Sequence, residues 1–227
     1  MVYYTGDLHG DLRELTRFER LHLTAADIVV LLGDVGANYD GFRHDRLFKE
    51  ALASLPPAFL CIHGNHEMRP GGIPSYKQKL WNGGIVWYEA KYPNLLFAKD
   101  GEIFDLGGVR HIAIGGAYSV DKYHRLARGM AWWPDEQPDA AIRAYVEAQL
   151  AVHPVDVILS HTCPYRYEPT EAFLPGLDPA RVDAGTEKWL DEIERAVSYR
   201  AWYCGHWHID KRTERMHFLF RDVEAAE

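Results

Sequence analysis

Short apolar runs that each end at a small polar cluster are the feature that most constrains the fold of this chain. Val2–Thr5, residues 28–32 and residues 58–63 have the length of buried strands, and residues 11–21 and 43–55 between them space their apolar side chains as amphipathic helices do. This alternation predicts a parallel βαβ start. Because the carboxyl ends of parallel strands share one edge of a sheet, the polar clusters are expected to meet there.

The middle of the chain has a different pattern. Between residues 94 and 117, three apolar runs are separated by Asp100-Gly101 and Gly107-Gly108, which predict hairpin turns and an antiparallel arrangement. Helices are predicted at 140–152 and 186–197, strands at 155–160 and 201–204, and residues 216–223 are expected to close a sheet. Residues 68–91, 118–138 and 163–185 match no regular element, and loops of such length are usually functional or covered by local structure.

Composition limits the classes of protein to which the chain can belong. Of its 227 residues, 47% are hydrophobic and 26% charged, as in an ordinary soluble globular protein, and with no repeat or linker we expect one domain over residues 1–227. The formal net charge of -8 argues against stable binding to nucleic acid. With no long apolar segment and no leader after Met1, we expect a cytoplasmic protein that does not bind membranes. The three cysteines, Cys61, Cys163 and Cys204, are expected to be reduced thiols.

Five polar clusters, each after a predicted strand, carry the chemistry that the sequence offers. Alone, each has a plain structural explanation, such as a surface turn or a hydrogen-bonded core histidine, but five of them in this order are hard to assign to chance. Carboxylate, imidazole and amide oxygen ligands favour Mn²⁺, Fe or Zn²⁺. The clusters are Gly6-Asp7-Leu8-His9-Gly10, Gly33-Asp34, Gly64-Asn65-His66-Glu67, Ser160-His161 and Gly205-His206-Trp207-His208.

This set of clusters resembles the calcineurin-like metallophosphoesterase superfamily, and its motifs are similar to those of the phosphoprotein phosphatase and diadenosine tetraphosphatase branch. The resemblance implies an α/β (α+β) fold, a four-layer αββα sandwich of two mixed sheets flanked by helices, with the metal site at the carboxyl ends of strands. It also implies two divalent metal ions. From the donor types we expect manganese, with iron or zinc as alternatives. Asp7, His9 and His208 would bind one ion, Asn65, His161 and His206 the second, and Asp34 both.

The same resemblance implies how the reaction would proceed. A hydroxide activated by the metal pair would attack phosphorus, and His66 would protonate the leaving group as general acid. The expected activity is hydrolysis of phosphomonoesters, with a phosphodiesterase or nucleotide hydrolase as the alternative, so the partner is a small-molecule or nucleotide phosphoester. A non-catalytic scaffold is less expected because all seven candidate ligands are present. A metal-free nucleophilic hydrolase is also less expected, because this sequence has no Gly-x-Ser-x-Gly motif to carry a nucleophilic serine. The sequence does not indicate an oligomeric state.

The second cluster departs from the phosphoprotein phosphatase pattern, Gly-Asp-x-Val-Asp-Arg-Gly. Ala37 replaces the acidic residue that would orient the catalytic histidine, and Asn38 replaces the arginine that would hold phosphate. Asp40 or Glu67 is the candidate to orient His66 instead. Asn38, Arg69 and Arg166 are the candidate substrate-binding residues, and Arg125 and Arg128 are further candidates for the phosphate contact.

Overall fold

Two β-sheets packed face to face form the centre of the computed structural model, which describes residues 1–173 and 182–226. Within those ranges the first sheet has seven strands. Parallel pairing joins its central four, and antiparallel strands form both edges. In spatial order they are β13 (Glu224–Ala225), β1 (Val2–Thr5), β2 (Ile28–Leu31), β3 (Ala58–Cys61), β6 (Leu95–Ala98), β5 (Gly84–Tyr88) and β4 (Lys77–Trp81).

The second sheet is also mixed and has six strands in the described part of the chain. Its centre is parallel, and an antiparallel strand closes each side. In spatial order the strands are β11 (Lys211–Arg212), β12 (Met216–Phe218), β10 (Ala201–Cys204), β9 (Val157–Ser160), β8 (Val109–Ile114) and β7 (Ile103–Leu106).

Helices cover the outer face of each sheet. A 3₁₀ helix, Leu12–Leu21, and helix α1 (Arg43–Ala53) pack on the first sheet through residues such as Phe18 and Phe48. Helices α3 (Ala140–Val152) and α4 (Gly185–Ala196) pack on the second sheet. Helix α3 begins where the side chain of Asp139 accepts a hydrogen bond from the backbone N–H of Ile142, an N-cap.

In addition to the apolar layers under the helices on each outer face, an apolar layer lies between the two sheets, where their inward faces meet. Strands buried on both sides explain the nearly continuous apolar runs of the sequence, such as Val29 to Leu32. The expected four-layer αββα sandwich of two mixed sheets is therefore confirmed.

Several local expectations differ from the structure. The 11–21 segment is a 3₁₀ helix, and residues 68–91, expected to be irregular, contain the β4–β5 hairpin. Gly107-Gly108 does join a hairpin, but Asp100-Gly101 does not, because β6 belongs to the first sheet and β7 to the second. The irregular segment 118–138 contains a short helix, α2 (Lys122–Arg128). Part of the third irregular segment, residues 174–181, lies outside the described residues.

The remaining sequence expectations concern cysteines and membranes. Cys61, Cys163 and Cys204 are free and buried, as expected. Among the helices of the described ranges, none combines the length and the apolar character that crossing a membrane requires.

Candidate metal centre

Five loops bring the polar clusters together at one edge of the sandwich. They follow β1, β2 and β3 of the first sheet and β9 and β10 of the second, all at the carboxyl ends of parallel strands. Hydrogen bonds join the loops directly: the backbone N–H of His9 donates to the carbonyl of Asp34 at 2.8 Å, and that of Gly205 donates to the carbonyl of His161 at 2.9 Å. The expected meeting of these clusters is therefore what the structure shows.

The backbone of these loops is unusual where the candidate ligands lie. In the described ranges, seven non-glycine residues have positive φ, and five of them are candidate metal ligands: Asp7, His9, Asp34, His206 and His208. Left-handed backbone costs on the order of 1–3 kcal/mol for such a residue and persists where the surroundings enforce it, typically at functional sites. The loops thus hold these five side chains in orientations that ordinary turns would not produce.

Asp7, His9 and His208 form the first group of candidate ligands. Each offers one ligand atom, and these atoms lie within 4.8 Å of one another. The Nε2 atoms of His9 and His208 are 2.9 Å apart, and Asp7 Oδ1 lies 3.9 Å from the first and 3.7 Å from the second. The other oxygen of Asp7, Oδ2, accepts a hydrogen bond from the backbone N–H of His206. This contact fixes the carboxylate so that Oδ1 faces the two imidazoles.

Asn65, His161 and His206 form the second group. The amide oxygen of Asn65 lies 2.8 Å from Nε2 of His161 and 3.0 Å from Nδ1 of His206. The orientation of the Asn65 side-chain amide is fixed by a second hydrogen bond, because Asn65 Nδ2 donates to Ser119 Oγ at 2.8 Å. His161 is fixed in the same manner, since its Nδ1 lies 2.7 Å from the Leu32 carbonyl oxygen and donates to it.

Asp34 lies between the two groups. Its Oδ1 is 3.6 Å from His161 Nε2 and its Oδ2 is 3.9 Å from His9 Nδ1. Asp7 also approaches the second group, because ligand atoms of Asp7, Asp34 and His161 lie within 4.8 Å of one another. Both carboxylates, and not Asp34 alone, are therefore close to donors of the two groups.

Gly33 permits this close approach. It has a φ of +91°, and a Cβ added there would lie 2.1 Å from Nδ1 of His161, inside any allowed contact. Glycine is therefore required at position 33 for the His161 imidazole to pack there, and the neighbouring Asp34 supplies the carboxylate.

The charges of the site are unbalanced without a cation. Burial, and then the charge of Asp34, raise the pKa of Asp7 well above its ordinary value, and its buried Oδ1 has no hydrogen-bond partner within the described residues. Burial alone would also raise the pKa of Asp34, but the imidazoles of His161, His66 and His9, when protonated, and the hydrogen bond from the His66 backbone N–H hold it below its ordinary value. Two carboxylates at this depth are stable as anions only beside a compensating positive charge, and a metal cation would supply it.

The histidines are in the form that binds metal. Burial lowers the pKa of His9, His161 and His206, and lowers that of His208 to about 4, so all four are neutral near pH 7. A neutral His161 that donates from Nδ1 has only a lone pair at Nε2, which faces the Asn65 oxygen at 2.8 Å. Two acceptors in contact repel each other unless a cation lies beside both. The residues present therefore fit divalent metal ions.

His66 lies beside this centre without belonging to either group. Its Nε2 is 3.8 Å from Asp34 Oδ2, and its backbone N–H donates to Asp34 Oδ1 at 2.9 Å. The ring of Tyr39 stacks on the His66 imidazole, with centroids 6.1 Å apart and planes 12° from parallel. Arg125 contacts the hydroxyl of Tyr39 at 3.3 Å and pairs with Asp121 at 2.7 Å. Tyr39 is thus the aromatic support of the His66 ring.

The two carboxylates considered for orienting His66 have other partners. Glu67 is fully buried, and its Oε1 accepts hydrogen bonds from the backbone N–H groups of Gly64 and Val35. Asp40 accepts from the backbone N–H of Phe42. In the part of the chain that the structure describes, neither carboxylate hydrogen-bonds the His66 ring.

A cavity opens next to the metal centre, and the candidate substrate-binding residues lie away from it. Asn38 is buried and accepts a hydrogen bond from the Tyr76 hydroxyl. Arg69 pairs with Asp100 and with the Asp135 carbonyl, and Arg166 pairs with Asp191 and Glu194 of α4. None of the three is among the described residues that line the cavity. Arg125 is connected to the site through Tyr39, whereas Arg128 is exposed on α2.

That cavity has a volume of about 790 Å³ and opens directly onto the candidate ligands. Asp34, Asn65, His66, His206 and His208 form one side of it. The other sides come from the segment before α2, the loop after β9, the start of α4 and the residues that follow His206. A pocket of this size accommodates a small organic molecule.

Sequence reasoning missed the residues that support the ligands. Ser119, the Leu32 carbonyl and Tyr39 have no motif of their own, and a backbone carbonyl leaves no trace in a sequence. A usable signal existed only for Tyr39, which follows the altered Ala37-Asn38 positions and is large enough to contact a neighbouring loop.

Comparison with known proteins agrees with the motif resemblance. The model of the calcineurin-like phosphoesterase family matches residues 1–210. The uncharacterized metallophosphoesterase YkuE of Bacillus subtilis is 29% identical over 133 residues, which are 56% of this chain and 46% of that protein, so the match spans about half of the relative's length. A phosphopantetheinyl hydrolase from Mycobacterium tuberculosis superposes with a TM-score of 0.48 and 16% identity, over 96% of this chain and 87% of its own.

Proposed function

The chain belongs to the calcineurin-like phosphoesterase family, and from that premise we propose that it hydrolyses phosphomonoesters with the help of two divalent metal ions. The observation that carries the proposal is the cluster of neutral imidazole, amide and carboxylate donors that face each other without a charge to balance them. Asp7, His9 and His208 would hold one ion and Asn65, His161 and His206 the other, and Asp34, which is close to both groups, would contribute its carboxylate. Oxygen and imidazole donors suit Mn²⁺.

In a reaction assisted by two metal ions, residues of this chain would still have to protonate the leaving group and position the groups that react. When bound, two divalent cations neutralise charge on the phosphoryl oxygens and acidify water to provide a nucleophile. His66 protonates the departing alkoxide from its position beside Asp34. Its backbone N–H is anchored on Asp34 Oδ1 at 2.9 Å, so the loop that carries the acid is tied to the ligand between the two groups.

Orientation of His66 falls to Tyr39 in this proposal. A general acid must keep its proton directed at the leaving group, and the stacked ring restricts rotation of the imidazole. Arg125, paired with Asp121, holds the hydroxyl of Tyr39 in turn. This arrangement supplies a support for the imidazole where Ala37 lacks the acidic side chain.

Hydrolysis assays on metal-depleted and reconstituted protein test the proposal. We expect p-nitrophenyl phosphate to be hydrolysed after addition of Mn²⁺ and not in excess chelator, and Asp34→Asn to be inactive under both conditions. The diester bis(p-nitrophenyl) phosphate should be hydrolysed more slowly. Full activity in excess chelator would refute metal dependence, and faster turnover of the diester would refute the monoester preference.

A further inference from the structure

The cavity beside the metal centre is much larger than a phosphate group requires. Beyond the candidate ligands, its wall is mainly apolar and aromatic. Tyr118 and Val120 precede α2, Tyr165 and Phe173 follow β9, and Trp207 follows His206. A pocket of this kind is built to bury the organic part of a substrate.

Aromatic rings are arranged along this wall in a defined way. Phe173 and Trp207 stack with centroids 5.8 Å apart and planes 16° from parallel. Tyr165 is half exposed, and Lys188 lies over its ring with Nζ 5.6 Å from the centroid. The flat rings of a ligand stack favourably on such side chains. The wall therefore favours a planar ring over a flexible aliphatic chain.

One buried carboxyl group interrupts the apolar wall. Glu187, in the first turn of α4, lines the cavity, is only 4% exposed, and has an Oε2 without a hydrogen-bond partner among the described residues. Burial raises the pKa of Glu187 to about 7, although a hydrogen bond with the Thr162 side chain acts in the opposite direction. Its position near a helix N-terminus favours a negative charge but leaves Oε2 unpaired.

An unpaired buried acceptor costs stability unless a ligand supplies the donor. The other charged residues of the wall beyond the candidate ligands are accounted for, since Asp121 binds Arg125, Lys188 lies over Tyr165, and Glu168 is only partly buried. Glu187 is thus the buried acceptor that remains available to a ligand in the described wall.

We propose that this cavity binds a nucleobase, with the ring against the aromatic wall and a ring or exocyclic N–H group donating to Glu187, so that a nucleoside monophosphate is the substrate. This inference rests on the proposed function, because the metal centre positions the phosphate. The nucleobase subsite is nevertheless formed by residues outside the metal centre, so it can be tested by binding alone.

Calorimetric titration with adenosine, which carries no phosphate, measures the subsite separately from the reaction. We expect adenosine to bind the metal-loaded protein, and Glu187→Leu to weaken binding about 10- to 100-fold, the loss of one hydrogen bond to a charged acceptor. Glu187→Gln, which keeps an acceptor, should recover part of the affinity. Glu192→Leu, an exposed carboxylate on the same helix, is the matched control and should bind as the wild type does.

Hydrolysis provides the second measurement. Adenosine 5′-monophosphate and ribose 5-phosphate are both esters of a primary C5 hydroxyl group, but only the first carries a base. The ratio of their kcat/KM values therefore reports the subsite. We expect this ratio to exceed about 10 in the wild type and to fall about 10- to 100-fold in Glu187→Leu. Tyr165→Ala, at a half-exposed position that tolerates truncation, should also lower it.

The outcomes separate the two proposals. No hydrolysis of any ester by the metal-loaded protein, with adenosine still bound, would overturn the proposed function and leave the subsite standing. A kcat/KM ratio near 1, or adenosine binding that is absent or unaffected by both Glu187→Leu and Tyr165→Ala, would overturn the nucleobase subsite even if phosphatase activity is found.

Discussion

Replacing Gly64 by alanine tests how closely the metal-binding loops are packed. A Cβ at this position would lie 2.1 Å from the backbone nitrogen of Asp34 and 2.1 Å from its Oδ1, whereas ordinary contact begins at 3.4 Å. Gly64 does not have a positive φ, so alanine meets no backbone penalty and the effect comes from the contact itself. The loop after β3 would have to move away from the loop after β2 by more than about 1 Å, a displacement that misplaces catalytic groups.

The magnitude follows from that displacement. Overpacking of a close contact costs on the order of 1–3 kcal/mol of unfolding free energy. A misplacement of about 1 Å in a catalytic group costs on the order of 10²-fold in rate. We therefore expect Gly64→Ala to lower kcat/KM for p-nitrophenyl phosphate about 100-fold and to weaken metal binding, with a modest loss of stability in denaturant unfolding.

Gly72→Ala is the matched control. A Cβ there meets nothing within 4 Å, and Gly72 has no positive φ, so its activity, metal content and stability should equal those of the wild type. If Gly64→Ala also keeps its metal and its activity, the loops are not held in the tight arrangement from which the metal site has been inferred.

Substitutions at three further residues test the general acid, its support and a buried histidine of the core. His66→Asn should keep its metal content but lose about 10²–10⁴-fold in rate on an alkyl phosphate and much less on p-nitrophenyl phosphate, whose leaving group needs no proton; equal losses on both esters would contradict a general acid. Tyr39→Leu should show the same dependence on the leaving group to a smaller degree, while Tyr39→Phe keeps the ring and most of the activity; losses independent of the ester would make Tyr39 merely structural. His111 is buried between the Tyr4 hydroxyl and the Val109 carbonyl, and burial lowers its pKa from 6.5 to about 4. Since the unfolded chain takes up this proton first, about 3 kcal/mol of stability should be lost as pH falls from 6.5 to 4. His111→Gln should lose less over that interval, and parallel pH profiles of unfolding free energy would refute the assignment.

Much of the fold could be predicted because strands buried on both faces leave a clear pattern. Residues 28–32 and 58–63 are short, nearly continuous apolar runs, which predict buried strands. Their parallel pairing follows from the helical segment between them. The β4–β5 hairpin was missed although Asn82-Gly83 is a strong turn signal, because β4 lies at a sheet edge and carries mostly polar side chains. Asp100-Gly101 was misassigned because a turn alone does not reveal whether its two strands share a sheet.

The metal centre likewise has features that the sequence predicts and features that it does not. Candidate ligands such as Asp34 and His161 could be predicted because they follow strands whose ends share an edge. Their supports could not, since Ser119 is 54 residues from the Asn65 that it fixes and Leu32 contributes only a backbone carbonyl. Orientation of His66 illustrates the limit most clearly: the motif suggested a carboxylate, whereas the ring stacked on the imidazole belongs to Tyr39.

Anomalous diffraction from crystals grown with Mn²⁺ would test the central claim directly. We expect two manganese peaks in each chain, one among Asp7, His9 and His208 and one among Asn65, His161 and His206, with Asp34 between them. Crystals of Asp34→Asn provide the control and should lose at least one peak. Two full peaks in that variant, or manganese bound away from these side chains in the wild type, would contradict the metal centre proposed for this protein.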